Sequence, residues 1–219
     1  MTTHTITKPL TGSEFAALGD IGPAELVRGE IVPMSPTGHS HGYIEFNLAR
    51  IVGNFVFNKQ LGRLMGGEVG IYTQRQPDTV RAADALFISN ARMAKVQSES
   101  YLDVAPELVV EIMSPDDHWS ELITKLDEYF VIGVELAWVV EPRHKRVHVY
   151  RSLADVETLT KTDTLTGGDI LPGLSEVVMV RTAYLVVMAT IVFLERQATI
   201  SFLEMQVTTT YQEEKAAIV

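Results

Sequence analysis

The chain of 219 residues contains no cysteine, which rules out disulfides and thiolate metal sites and leaves oxygen and imidazole as the donors for any bound metal. Such donors suit a hard divalent cation. Positive charge is also scarce: 18 Lys and Arg face 28 Asp and Glu, a formal net charge of −10. That balance argues against an extended, non-specific phosphate-binding face, which rests on Lys and Arg, and leaves room only for a local basic patch. The N-terminus, Met1 to Lys8, has no basic segment followed by a long apolar one, so no signal peptide is read and the cytoplasm is the expected location. Long hydrophobic runs are missing too. Between Arg181 and Glu195 lie thirteen uncharged residues, short of the roughly 20 that a membrane helix needs, so no membrane association is expected. Repeats and low-complexity tracts are absent.

The most informative feature present is an acid inside an apolar run, Pro106-Glu107-Leu108-Val109-Val110-Glu111-Ile112-Met113-Ser114-Pro115. Burying an ionised carboxylate alone costs several kcal/mol, so Glu111 implies a cation, a metal or a raised pKa. A second acid, Asp84, sits in Val80 to Ile88, where the two-residue period puts Ala82, Asp84, Leu86 and Ile88 on one face.

The spacing predicts a short helix at Gly12 to Leu18, a strand from Glu25 to Met34 carrying Glu30, and a long amphipathic helix from His39 to about Asn58. On that helix His41 and Glu45 share the inward arc with Ile44, Leu48, Ile51, Val52 and Phe55. A hairpin with arms Gly67 to Thr73 and Val80 to Ile88 follows. After the strand around Glu111, Ser114 to Asp117 offers caps for a helix from Trp119 to Val131, closed by Gly133. Leu136 to Val140 and Arg146 to Tyr150 predict a second hairpin. Thr164 to Asp169 reads as a turn, and Leu171 to Leu174 as the close of the domain. Helix, mixed sheet and helix in this order imply an α/β (α+β) fold, a mixed central sheet flanked by helices in three layers.

Asp84, Glu111 and the backbone carbonyl of Ile112 could hold a divalent ion beside a phosphodiester, with Lys125 assisting the attacking water. Each group also has a structural reading. Glu111 could pair with an arginine such as Arg81, and Lys125 with Glu121 and Glu128 on its own helix. His41 and Glu45 could be polar groups satisfied at a helix start or auxiliary ligands, with Glu30 and Glu68 as further auxiliary candidates. Trp138 reads as core.

From Leu10 to Val180 the chain resembles the Uma-type family of restriction endonuclease-like proteins, in the PD-(D/E)XK nuclease superfamily. The resemblance rests on Glu25-Leu26-Val27-Arg28-Gly29-Glu30-Ile31 with Met34-Ser35-Pro36, on His41-Gly42, and on Gly66-Gly67-Glu68-Val69-Gly70. It continues in Val80-Arg81-Ala82-Ala83-Asp84, Pro106 to Glu111 with Ser114-Pro115, Lys125 with Tyr129, and Asp163 to Asp169 with Leu171-Pro172-Gly173. It implies a restriction-endonuclease-like domain over residues 1–180, followed by a non-family extension over 181–219. Asp84 matches the family's metal-binding aspartate, Glu111 its later acid, and Lys125 its lysine. The position two after Glu111, where the superfamily usually has lysine, holds Met113, and Ala83 stands where proline is common. The resemblance further implies magnesium, with manganese as the alternative ion, DNA as substrate and a homodimer. The rival expectation is a catalytically inactive nuclease-fold binding protein of a mobile-element or defence system.

Overall fold

The Thr11 hydroxyl accepts the Glu14 N–H while the Glu14 carboxylate accepts the Thr11 N–H, and this reciprocal cap opens helix α1 (Gly12–Ala16). The structure, a computed structural model, describes residues 8–181 and 184–189, with side chains as far as residue 175. One unit spans Met1–Met188; the other, Ala189–Val219, lies outside the described residues apart from Ala189, and with it most of the expected C-terminal extension.

The stretch expected as one strand from Glu25 to Met34 is two strands, β1 (Ala24–Val27) and β2 (Glu30–Pro33). Arg28 and Gly29 both adopt positive φ, 51° and 80°, and so reverse the chain in a two-residue hairpin turn. A side chain at Gly29 would collide with Pro9, which fixes glycine there. Helix α2 (His39–Lys59) follows the predicted spacing and buries Ile44, Leu48, Ile51, Val52 and Val56. Strands β3 (Gly62–Gln74) and β4 (Thr79–Ser89) form the expected hairpin, with a first arm that begins earlier, at Gly62, and bulges between Gly66 and Val69. A short helix, α3 (Asn90–Met93), leads towards β5 (Leu108–Ile112), the run that carries Glu111.

Helix α4 (Trp119–Ile132) starts at His118, whose side chain makes no capping bond. The expected caps act one step earlier: Asp117 Oδ2 accepts the Ser114 N–H at 2.7 Å and closes a turn ahead of the helix. Gly133, at φ 102°, ends it. Then come β6 (Leu136–Glu141), β7 (Arg146–Ser152), β8 (Asp155–Leu159), β9 (Thr164–Gly167), β10 (Leu171–Arg181) and β11 (Tyr184–Ala189). The segment expected as a turn at Thr164 is thus strand β9, because Leu165 and Gly167 alternate inward between exposed Thr164 and Thr166. Leu171 opens a strand rather than closing the domain.

The large sheet runs β2-β1-β4-β5-β6-β7-β8, with β3 paired to β4; β5 and β6 are parallel, joined through α4. A smaller sheet runs β11-β10-β9. One face of the large sheet, Ala85, Phe87, Val110, Ile112, Trp138 and Val140, packs on α2, and Leu165 and Leu171 join that cluster. The other face, Leu86, Ile88, Val109, Ala137 and Val139, packs on α4. Each Val, Leu, Ile or Phe among them, fully buried, stabilises the layers by about 1.5–3 kcal/mol. No helix of the described residues is long and apolar enough to cross a membrane.

The register leaves one opening. Strand β3 occupies one edge of β4 along its length. The other edge is shared, β1 meeting it at Leu26–Val80 and β5 only from Ala85–Val110 onward. Residues 81–84 of β4 therefore have no strand partner on that side, and both flanking helices send polar side chains into the gap.

Candidate metal and catalytic centre

Backbone groups left open in a sheet must be satisfied by something else. In the gap the Ala82 N–H donates to Glu25 Oε1 at 2.9 Å, and the Ala82 carbonyl accepts from Lys125 Nζ at 2.7 Å. Lys125 reaches in from α4, donating also to Glu111 Oε2 at 2.9 Å and lying 3.3 Å from Glu25 Oε1. The Tyr129 hydroxyl, one turn later on α4, donates to Glu111 Oε1 at 2.9 Å. Arg81 joins Glu25, at 2.8 Å, to both oxygens of Glu128, at 2.7 Å each. Three carboxylates, Glu25, Glu111 and Glu128, thus face two cations, Arg81 and Lys125, leaving one negative charge in excess.

Burial first, and then these charges, set the local pKa values. Burial pushes the Glu111 carboxyl up to about 7, against the Lys125 ammonium and with the neighbouring Asp84 charge adding to the rise. For Glu25 burial works in the same direction, but Lys125, the Ala82 N–H and Arg81 together hold it below the usual carboxylate range. Burial opposes the charge on Lys125 as well, yet Glu111 and Glu25 outweigh it and raise the ammonium pKa.

The α2 side of the gap is built differently. Asp84 turns to the α2 side, not to the α4 face of Leu86 and Ile88 that the two-residue period gave it, and its Oδ2 accepts the Ile112 N–H at 2.6 Å, so that a side chain continues the β4–β5 ladder where the strands separate. Asp84 Oδ1 lies 3.1 Å from His41 Nε2, and His41 Nδ1 lies 3.3 Å from Ser114 Oγ. Glu45, one helical turn after His41, accepts the Gly67 N–H at 3.0 Å. Gly67 and Glu68 sit in the β3 bulge at φ 84° and 61°, opposite Asp84, where extra chain exposes an N–H to the helix. One ligand atom each from His41, Glu45 and Asp84 lies within 4.8 Å of the others, a group able to hold a metal ion. Burial disfavours the charged imidazole of His41, but Asp84, Glu45 and Asp117 outweigh it and raise its pKa. Glu68, half-buried, is also raised, by burial and then by the charges of Asp84 and Glu45.

A family model described as Uma2, putative restriction endonuclease, matches residues 13–183. The chain belongs to the Uma2 family. A crystal structure of a putative nuclease belonging to DUF820, from Anabaena variabilis ATCC 29413, is similar with a TM-score of 0.65 and 18% identity, covering 76% of this chain and 94% of that one. At that identity the likeness is one of fold. No curated protein matches the chain.

Within this Uma2 chain Asp84, His41, Glu45 and Glu68 gather on the α2 side of the gap, and Glu111 with Lys125 on the α4 side. Ile112 meets Asp84 through its N–H. Glu30 is exposed on the outer strand β2 and does not join the group. Arg81 is not the partner of Glu111: it is committed to Glu25 and Glu128, and Lys125 takes Glu111. Lys125 accordingly makes no surface pair with Glu121 or Glu128, because its ammonium reaches into the gap, to the Ala82 carbonyl, Glu111 and Glu25. Met113, where the superfamily usually has lysine, packs against the apolar cluster under α4, and Trp138 is fully buried, as expected.

The sequence reading missed Glu25, Ser114 and Gly67. Glu25 carried a signal of the same kind as Glu111, an acid within the short apolar run Ala24 to Val27. Ser114 and Gly67 stood in the resemblance motifs and Ser114 among the expected caps, but their roles beside His41 and Glu45 depend on which elements meet.

Proposed function

We propose that this chain is a metal-dependent endonuclease that hydrolyses phosphodiester bonds of DNA. The observation that carries this reading is the group of His41, Glu45 and Asp84 on one side of the sheet gap, able to hold a metal ion, with the Lys125–Glu111 pair on the other side near enough to feel the Asp84 charge. An imidazole nitrogen and two carboxylates fit a divalent ion, and acids this crowded would repel a phosphodiester without one. A divalent ion contributes Lewis acidity toward water and toward a phosphate oxygen. Asp84, anchored by the Ile112 N–H, would hold such an ion together with His41 and Glu45, while Ile112 and Glu111, whose oxygens are engaged by Lys125 and Tyr129, would border it on the other side of the gap.

Lys125 directs positive charge at the phosphate as negative charge builds up on it, and assists the attacking water. Glu111 and Tyr129 keep its ammonium and the facing carboxylate in place. The excess of acid around Lys125 keeps it protonated, as an electrostatic stabiliser has to be. The reading carries with it a domain over 1–180, the extension over 181–219, and a homodimer in which each subunit cuts one strand.

Supercoiled plasmid incubated with the protein and magnesium or manganese tests the reading, with Asp84→Asn and Glu111→Gln run alongside. Nicking by the natural protein that both variants lose is the expected result. Equal nicking by all three, or none, transfers the weight to a nuclease-fold protein that acts by binding.

A further inference from the structure

We propose that His41 Nε2 is a metal ligand, and that this makes the site one for a first-row transition ion in preference to magnesium. The inference rests on the metal site of the reading above and deepens it by naming the class of ion.

Carboxylates alone serve magnesium well, because it demands oxygen donors and keeps much of its water. An imidazole changes the donor set: nitrogen adds little for magnesium, somewhat more for manganese, and a great deal for iron, cobalt, nickel and zinc. His41 is buried, with 8% of its surface exposed, and its Nε2 points at the Asp84 carboxylate rather than at solvent. A second observation concerns the far side of the ring. Metal-bound histidines almost always give their other ring N–H to an acceptor that fixes tautomer and orientation. Ser114 Oγ stands 3.3 Å from Nδ1 and is placed to accept that hydrogen once Nε2 is given to an ion.

The three donors also come from elements that hold them independently of any ion. Glu45 is tied to the Gly67 N–H of the β3 bulge, Asp84 to the Ile112 N–H, and His41 to the first turn of α2. Each anchored carboxylate keeps at least one lone pair for an ion, since each oxygen accepts more than one bond.

The test is binding, measured without substrate. Cobalt(II), manganese(II) and magnesium are titrated by calorimetry into the natural protein, His41→Gln and Ser114→Ala, and bound manganese is examined by pulsed electron spin resonance for nitrogen-14 modulation from an imidazole. The expected result is cobalt bound tighter than magnesium, nitrogen modulation in the natural protein, and loss of that modulation in His41→Gln. Cobalt affinity should fall at least tenfold in His41→Gln while magnesium affinity changes less than twofold, and Ser114→Ala should lose roughly tenfold for cobalt. Absence of nitrogen modulation in the natural protein overturns the proposal even if the variants do not fold. So does an equal fall for cobalt and magnesium in His41→Gln. Metal-dependent nicking with no imidazole signal would sink this inference and leave the nuclease reading standing; an imidazole signal with no nicking would do the reverse.

Discussion

The two acids on neighbouring central strands are satisfied in opposite ways. Glu111, under α4, has a built-in cation and a phenol on its two oxygens, and belongs to a network in which cations and carboxylates nearly balance. Asp84, under α2, is met by a backbone N–H and an imidazole, with Glu45 and Glu68 close enough to raise the local negative potential. The first region is complete as a folded structure. The second gathers acids whose repulsion folding has to overcome, and an added cation would relieve it. Within one gap the protein thus supplies its own positive charge under α4 and leaves that under α2 to a ligand.

The largest effect should come from removing the built-in cation. Lys125→Met keeps the length of the stem but leaves Glu111 and Glu25 buried without it, and should cost about 3–5 kcal/mol in urea unfolding at neutral pH. A cost below about 1 kcal/mol would mean that water enters the gap and that the two regions do not differ as described.

Next comes pH. The Glu111 carboxyl titrates at about 7 in the folded protein against an ordinary 4.5, so between those values the folded state keeps a proton the unfolded chain has lost. Stability therefore falls as pH rises through that window, by about 3 kcal/mol in total, and Glu111→Gln should flatten the slope. His41, raised from 6.5, contributes stability at low pH that disappears as pH climbs above 6.5. His41→Gln should remove that later part alone. Stability curves from denaturant titrations between pH 4.5 and 8 separate the two regions by where each slope lies.

A slightly smaller effect is expected from adding the ion. A divalent cation at one hundred times its dissociation constant should stabilise the natural protein by about 2.7 kcal/mol, seen as a rise in unfolding temperature over a chelator control. Asp84→Asn and Glu45→Gln should lose that rise, and Tyr129→Phe should keep it. A rise lost equally in all three would merge the regions into one site. Smallest of all, Tyr129→Phe deprives Glu111 of one hydrogen bond in the buried network and should cost about 1–2 kcal/mol, measured by the same unfolding.

Much of the scaffold was legible because it follows from periodicity. Helices α2 and α4 begin and end within a residue or two of where the apolar spacing puts them, and β5 was marked by its apolar run. Strands β8 to β11 were not, since β8 exposes four of its five residues and β9 is only four residues long. The reversal at Arg28-Gly29 was hidden because a positive φ at arginine has no compositional signature. Within the site, Glu111 announced that it needed a partner, but its identity was out of reach. Arg81 was the expected structural partner and Lys125 was set apart as a water-assisting or surface-paired lysine; the gap in the β4 edge, with a free carbonyl at Ala82 to receive Lys125, reverses that assignment.

What the amino-acid sequence determined by itself was the list of donors: no thiols, a surplus of carboxylates, an acid in each of two central strands, and an apolar stripe on each flanking helix. Those are properties of residue type and spacing, which act along the chain. Which donors meet follows from how the strands and helices pack. The separation of β1 from β5 along one edge of β4 opens backbone groups that must be satisfied, and that requirement draws Glu25, Lys125 and Asp84 into one place, because polar groups are costly to bury alone and distance in sequence does not enter that cost.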